Sequence, residues 1–83
     1  MKKLIEDNYI SIVRRGLITP ETKYHDFYDK LCEEVEEVYQ SENDDQLKEE
    51  LADVILTALN WARHYNFDIE TELKKKIIIN QNR

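Results

Sequence analysis

The sequence has one cysteine, one glycine and one proline in 83 residues. A single cysteine excludes an intrachain disulfide, which suits a reducing, cytoplasmic setting. With one glycine and one proline there are few places to turn the chain tightly, so long helices are expected rather than a many-stranded sheet. Positive charge is also scarce: 12 Lys and Arg stand against 18 Asp and Glu, a net charge of −6. A surface of that sign repels a phosphate backbone, which argues against nonspecific nucleic-acid binding. A small phosphorylated ligand stays compatible if a cation supplies the missing positive charge. Long hydrophobic runs are absent too. The N-terminal MKKLIED reaches Glu6 and Asp7 before an apolar stretch develops, so neither a signal peptide nor a membrane span is expected.

What is present reads as a single all-α domain over residues 1–83, small enough that oligomerisation is a common way to add buried area. Leu4 to Gly16 reads as a first helix, with Leu4, Ile5, Tyr9, Ile12 and Val13 apolar and Gly16 as its stop. Thr19-Pro20 is a start signal, and Glu21 puts negative charge in the first turn, so a second helix is expected from Pro20 to about Gln40. At about 100° per residue, Tyr24, Phe27, Tyr28, Leu31, Val35, Val38 and Tyr39 share one broad arc, and Tyr24, Phe27 and Tyr28 are expected in the core. Lys30, Glu33 and Glu37 share the neighbouring arc, with Glu34 at the boundary.

Asn43, Asp44 and Asp45 offer N-caps for a third helix to about Tyr65. Its apolar residues, Leu47, Leu51, Ile55, Leu59 and Ala62 among them, span more than half the circumference, which one neighbouring helix cannot cover. It is therefore the central helix, with a partner subunit expected. Its narrow polar stripe holds Glu50, Asp53, Thr57, Asn60 and His64. Asn66 can close it, and Asp68 can cap a last helix from Ile69, on which Lys76, Asn80 and Arg83 share a side with Leu73 and Ile77. Cys32 reads as a small buried hydrophobe, Trp61 as core or interface, and His64 as solvated.

The chemistry centres on Glu33 to Asp53. In an antiparallel helical hairpin, facing residues have position numbers with a nearly constant sum. That sum is the same for Glu37 with Glu50 as for Glu34 with Asp53. Each pair is also an i, i+3 neighbour on its own helix. Four carboxylates at one height repel unless a proton, a basic partner or a cation intervenes. All-oxygen ligation selects a hard cation, Mg²⁺ or Mn²⁺, over zinc or copper. The plain alternative is that these acids only decorate solvated helix faces.

Several motifs resemble the MazG-like nucleotide pyrophosphohydrolases of the all-α NTP pyrophosphatase superfamily. Glu34-Val35-Glu36-Glu37, twelve residues, then Glu50-Leu51-Ala52-Asp53 is similar to the family's E-x-x-E and E-x-x-D. Lys30 to Glu37, Leu59-Asn60-Trp61-Ala62, the closing Lys76, Asn80 and Arg83, and the lead-in Arg15 to Pro20 resemble family segments in the right order. Two positions depart from many relatives: Glu36 replaces a glycine and Phe27 a glutamine.

The resemblance implies a four-helix MazG-like bundle around the hairpin, completed by oligomerisation as a homodimer or homotetramer. It also implies Mg²⁺-dependent hydrolysis of a nucleoside triphosphate to the monophosphate and pyrophosphate, in a nucleotide-pool housecleaning role. Glu34, Glu37, Glu50 and Asp53 would hold the metal, with Glu33 a further carboxylate or base. Lys30, Asn60, Lys76, Asn80 and Arg83 would bind substrate. A non-catalytic helical interaction module, or a protein that senses nucleotides without turning them over, is the competing reading.

Overall fold

The structure, a computed structural model, describes residues 1–83. It contains four helices: α1 (Lys2–Arg14), α2 (Tyr24–Tyr39), α3 (Asp44–His64) and α4 (Ile69–Gln81). No strand forms, as the shortage of turn residues implies.

Two helices end by the same device. At Gly16 the backbone turns left-handed, with φ 74°. Its N–H donates to the Val13 carbonyl at 2.9 Å, and the Leu17 N–H donates to the Ile12 carbonyl at 3.2 Å. This paired closure satisfies carbonyls that the helix end would otherwise orphan. Asn66 does the same for α3, with φ 58°. Its N–H donates to the Arg63 carbonyl at 3.0 Å and that of Phe67 to the Ala62 carbonyl at 2.9 Å.

The start of α2 corrects the reading of Thr19-Pro20. The helix begins at Tyr24, four residues beyond Pro20. Thr19 and Thr22 close a turn of their own: the Thr22 N–H donates to the Thr19 carbonyl at 3.0 Å, and the Thr19 N–H to the Thr22 hydroxyl at 2.9 Å. Local side-chain bonds of this kind compete with helix propagation. The chain then extends at Lys23, whose N–H donates to Asp26 Oδ2 at 2.9 Å. Asp26, rather than Glu21, is the acid of the first turn. For α3 the cap is Asn43, whose Oδ1 accepts the Gln46 N–H at 2.9 Å. For α4 it is Asp68, which accepts the Thr71 N–H at 3.2 Å.

α2 and α3 form the expected hairpin, and α1 packs against α3. The core between them is small: Ile5, Ile18, Phe27, Leu59 and Ala62. Phe27 stacks on Trp61 with ring centroids 6.0 Å apart. The expectation that Tyr24 and Tyr28 join this core is not met; both are exposed, and Tyr24 only meets Trp61 edge-on. Cys32 is exposed as well, not buried. Tyr28 and Cys32 lie one turn apart on an exposed flank of α2.

α1 is tied down by polar contacts. The Arg63 guanidinium binds both Glu6 oxygens, at 2.6 and 3.0 Å, and lies 4.6 Å from the centre of the Tyr9 ring. His64 is not solvated as expected. Its Nδ1 lies 2.8 Å from the Tyr9 hydroxyl and its Nε2 2.9 Å from the Thr22 carbonyl. With Nε2 donating to that carbonyl, neutral His64 accepts from Tyr9 at Nδ1. One side chain thus joins α1, the α1–α2 loop and α3.

α4 is different. Every residue from Thr71 onward is exposed, including Leu73, Ile77, Ile78 and Ile79. Val35, Leu51 and Ile55 of the hairpin are exposed too. The chain shows 6567 Å² of surface, against about 5,200 Å² for a typical folded monomer of its mass. Its radius of gyration is 14.1 Å, against about 12 Å for a compact chain of this length. No helix is long and apolar enough to cross a membrane.

Candidate metal centre and adjoining groove

Glu34 and Glu37 lie one turn apart on α2, and Glu50 and Asp53 one turn apart on α3. The hairpin brings one carboxylate oxygen from each to within 4.8 Å of the others. The facing pairs read from the position numbers are therefore level in three dimensions. Glu34 is buried at 6% exposure, Glu37 and Glu50 are half-buried, and Asp53 is exposed.

The electrostatics of this cluster are unresolved by the protein alone. Glu34 Oε2 and Glu50 Oε2 are buried without any hydrogen-bond partner. An unpaired buried polar atom costs about 1–3 kcal/mol, and more if charged. The Glu37 carboxyl is held above the usual glutamate range, first by its hydrogen bond with Glu34, then by the Glu34 charge and by Glu50. A divalent cation held by these carboxylates would relieve both penalties at once, by giving the orphaned oxygens a partner and offsetting the repulsion. Four carboxylates with no nitrogen or sulfur donor suit a hard ion such as Mg²⁺ or Mn²⁺. The residues present fit such an ion.

Lys30 sits one turn before the cluster. Its Nζ lies 2.9 Å from Glu34 Oε1 and 3.6 Å from Glu33 Oε1. Its pKa is raised, chiefly by the hydrogen bond with Glu34. Glu33 is exposed and meets Lys30; it is not one of the four converging carboxylates.

A groove of about 740 Å³ adjoins the cluster, within the size range of small-molecule sites. Glu34 and Asp53 lie at its edge, with Lys30 and Glu33 beside them. Asn60, two turns along α3 from Asp53, also lines it. The opposite wall is α1, through Asn8, Ile12 and Arg15. The sequence reading missed this wall. Those three positions do fall on one helix face at i, i+4 and i+7, but one sequence does not say that this face lies across from the carboxylates.

The expected substrate residues therefore divide. Lys30 and Asn60 line the groove. Lys76, Asn80 and Arg83 are on exposed α4 and do not line it within one chain.

The pattern that defines the MazG nucleotide pyrophosphohydrolase domain matches residues 23–80. No curated protein and no solved structure matches the chain. The matched segment contains α2, α3 and nearly all of α4, and with them all four clustered carboxylates. α1 and the Arg15–Pro20 lead-in fall outside it. Since well over half of the residues are matched, and the hairpin within the match carries the acidic cluster, the chain belongs to the MazG nucleotide pyrophosphohydrolase domain family.

Proposed function

We propose that this protein hydrolyses a nucleoside triphosphate, NTP or dNTP, to the monophosphate and pyrophosphate, in a Mg²⁺-dependent, cytoplasmic housecleaning role. The observation that carries the reading is the convergence of Glu34, Glu37, Glu50 and Asp53 within 4.8 Å, with two orphaned buried oxygens, in a chain of this family. When bound, Mg²⁺ (Mn²⁺ as a substitute) neutralises phosphate oxygens and eases departure of pyrophosphate.

Glu34, Glu37, Glu50 and Asp53 would hold the ion. Lys30, beside Glu34 at the groove edge, is placed to meet a phosphate oxygen. Water attacks the α-phosphorus. Its oxygen forms the new P–O bond, the α–β anhydride bond breaks, and the proton passes to a carboxylate, for which exposed Glu33 is the candidate. Positioning and charge provide most of the catalysis in such transfers. Asn60 holds the far end of the substrate.

The reading includes a homodimer or homotetramer. The surface excess of about 1,300 Å² over a typical monomer is of the order of one protomer's share of an obligate interface. The exposed Leu51, Ile55 and Ile77 supply apolar area for it. Lys76, Asn80 and Arg83 reach a triphosphate only if a second copy carries its own α4 to the groove.

The test is product analysis across a panel of NTPs and dNTPs with Mg²⁺ in ¹⁸O-labelled water. Pyrophosphate should appear in equal amount with monophosphate, and the label should enter the monophosphate. Nucleotide binding without pyrophosphate release identifies a sensor instead. Neither binding nor any thermal shift with Mg²⁺ or Mn²⁺ identifies a non-catalytic helical module.

A further inference from the structure

We infer that Asn8 and Asn60 together read the hydrogen-bonding edge of the nucleobase, so that α1, which lies outside the domain match, sets base preference. This rests on the nucleotide reading above. Asn60 is only 8% exposed, yet its one hydrogen bond in the protein is the one its Oδ1 accepts from Asn8 Nδ2, at 2.8 Å. The Asn60 Nδ2 donors and the Asn8 Oδ1 acceptor have no protein partner. Neither atom is among those sealed away from solvent, and both residues line the groove.

These groups are open to the groove, where a ligand can replace water as their partner. Here the amides also orient each other. Once one donates to the other, a free donor on Asn60 and a free acceptor on Asn8 are presented side by side. That is the complement of a base edge carrying an adjacent acceptor and donor.

The surroundings suit a base at this end. Ile12, Phe27 and Leu56 line the same groove and offer apolar faces to a planar ring. Asn60 is two turns of α3 from Asp53, about 10 Å at the helical rise, a separation on the scale of a nucleoside between its α-phosphate and its base edge. With the phosphates at the carboxylates, the base falls at the amide pair. A plain clamp between α1 and α3 would use the same Asn8–Asn60 bond but would not distinguish one base from another.

The experiment uses the full chain, Mg²⁺ and the α,β-imido analogues of CTP and UTP, which bind without being cleaved. Asn8→Asp makes position 8 an acceptor only. Asn60 then gives the new carboxylate one Nδ2 hydrogen, and position 8, without its own amide hydrogens, presents only acceptors to the base. The affinity ratio of the cytidine to the uridine analogue should rise by about tenfold, because a 4-amino group donates where a 4-keto group cannot. In the unaltered protein, the side-chain amide NMR signals of Asn8 and Asn60 should move on binding either analogue. They should stay put with ribose 5-triphosphate, which lacks a base.

An unchanged ratio in Asn8→Asp, with lowered stability alone, would show a clamp and overturn the inference. So would amide signals that ignore a bound nucleotide, which requires no variant to fold. Binding that follows the base as expected, but without pyrophosphate release from cleavable NTPs, overturns the enzymatic reading and leaves this one standing. If neither analogue binds, both fall.

Discussion

Glu34 Oε2 and Glu50 Oε2 are the least satisfied atoms in the protein, and their predicament sets what single substitutions should do. Neutralising Glu50 removes a repelling charge from the cluster, so Glu50→Gln should stabilise the metal-free protein by about 1 kcal/mol. In a domain of this size that is a rise in Tm of roughly 4–8 °C. Mg²⁺ should raise the Tm of the unaltered protein, and the same substitution should abolish that rise. Thermal unfolding in EDTA and in Mg²⁺ reads both effects. The Glu6–Arg63 pair makes a separate prediction on pH. Glu6 is held below the usual glutamate range, first by the hydrogen bond from Arg63 and also by its charge. A carboxyl depressed in the folded state adds stability above its unfolded pKa and loses it as pH falls through the folded one. Glu6→Gln should therefore be less stable than the unaltered protein at pH 7, and the two should converge on acidification below the glutamate range. Urea titrations across that window check the convergence.

At the scale of elements, the two left-handed residues Gly16 and Asn66 end α1 and α3. A Cβ on Gly16 would meet nothing within 4 Å, so only the positive φ resists substitution. Gly16→Ala should cost about 1–2 kcal/mol, measured by chemical denaturation, with no packing component. Asn66→Gly relieves the positive φ but removes the bond that Asn66 Oδ1 accepts from Arg63 Nη1 at 3.2 Å, so it should change stability by less than about 1 kcal/mol. Both stops were legible in the sequence because glycine and asparagine tolerate this conformation. The Asn43 and Asp68 caps and the facing of Glu34/Glu37 with Glu50/Asp53 were legible for similar reasons: a local bond or a fixed helical spacing decides them. The start of α2 was not, because Thr19 and Thr22 bond to each other and spend the capping groups on an isolated turn. His64 was misread because its partners, Tyr9 and Thr22, are brought in by tertiary packing. Tyr24, Tyr28 and Cys32 share an apolar arc on α2, but periodicity shows only that an arc is apolar, not which neighbour covers it. For the same reason the groove wall formed by α1 could not be seen.

For the whole molecule, a radius of gyration of 14.1 Å and an uncovered α4 describe a chain that has not finished burying its apolar surface. Sedimentation equilibrium should find a dimer or tetramer rather than a 10.0 kDa species. Ile55→Asp, on the exposed side of α3, should shift it toward monomer. The central claim is that the hairpin carboxylates form a divalent-cation site on which nucleoside triphosphate hydrolysis depends. Its most direct test is pyrophosphate release by the unaltered protein and by Asp53→Asn, each measured against Mg²⁺ concentration. Asp53 is the exposed one of the four clustered carboxylates, so its replacement should disturb folding least. The expected result is Mg²⁺-dependent release by the unaltered protein and a loss of about 100-fold or more in kcat for the variant, with little change in Tm in EDTA. Equal release by the two proteins, or release from the unaltered protein that EDTA does not stop, would contradict the account.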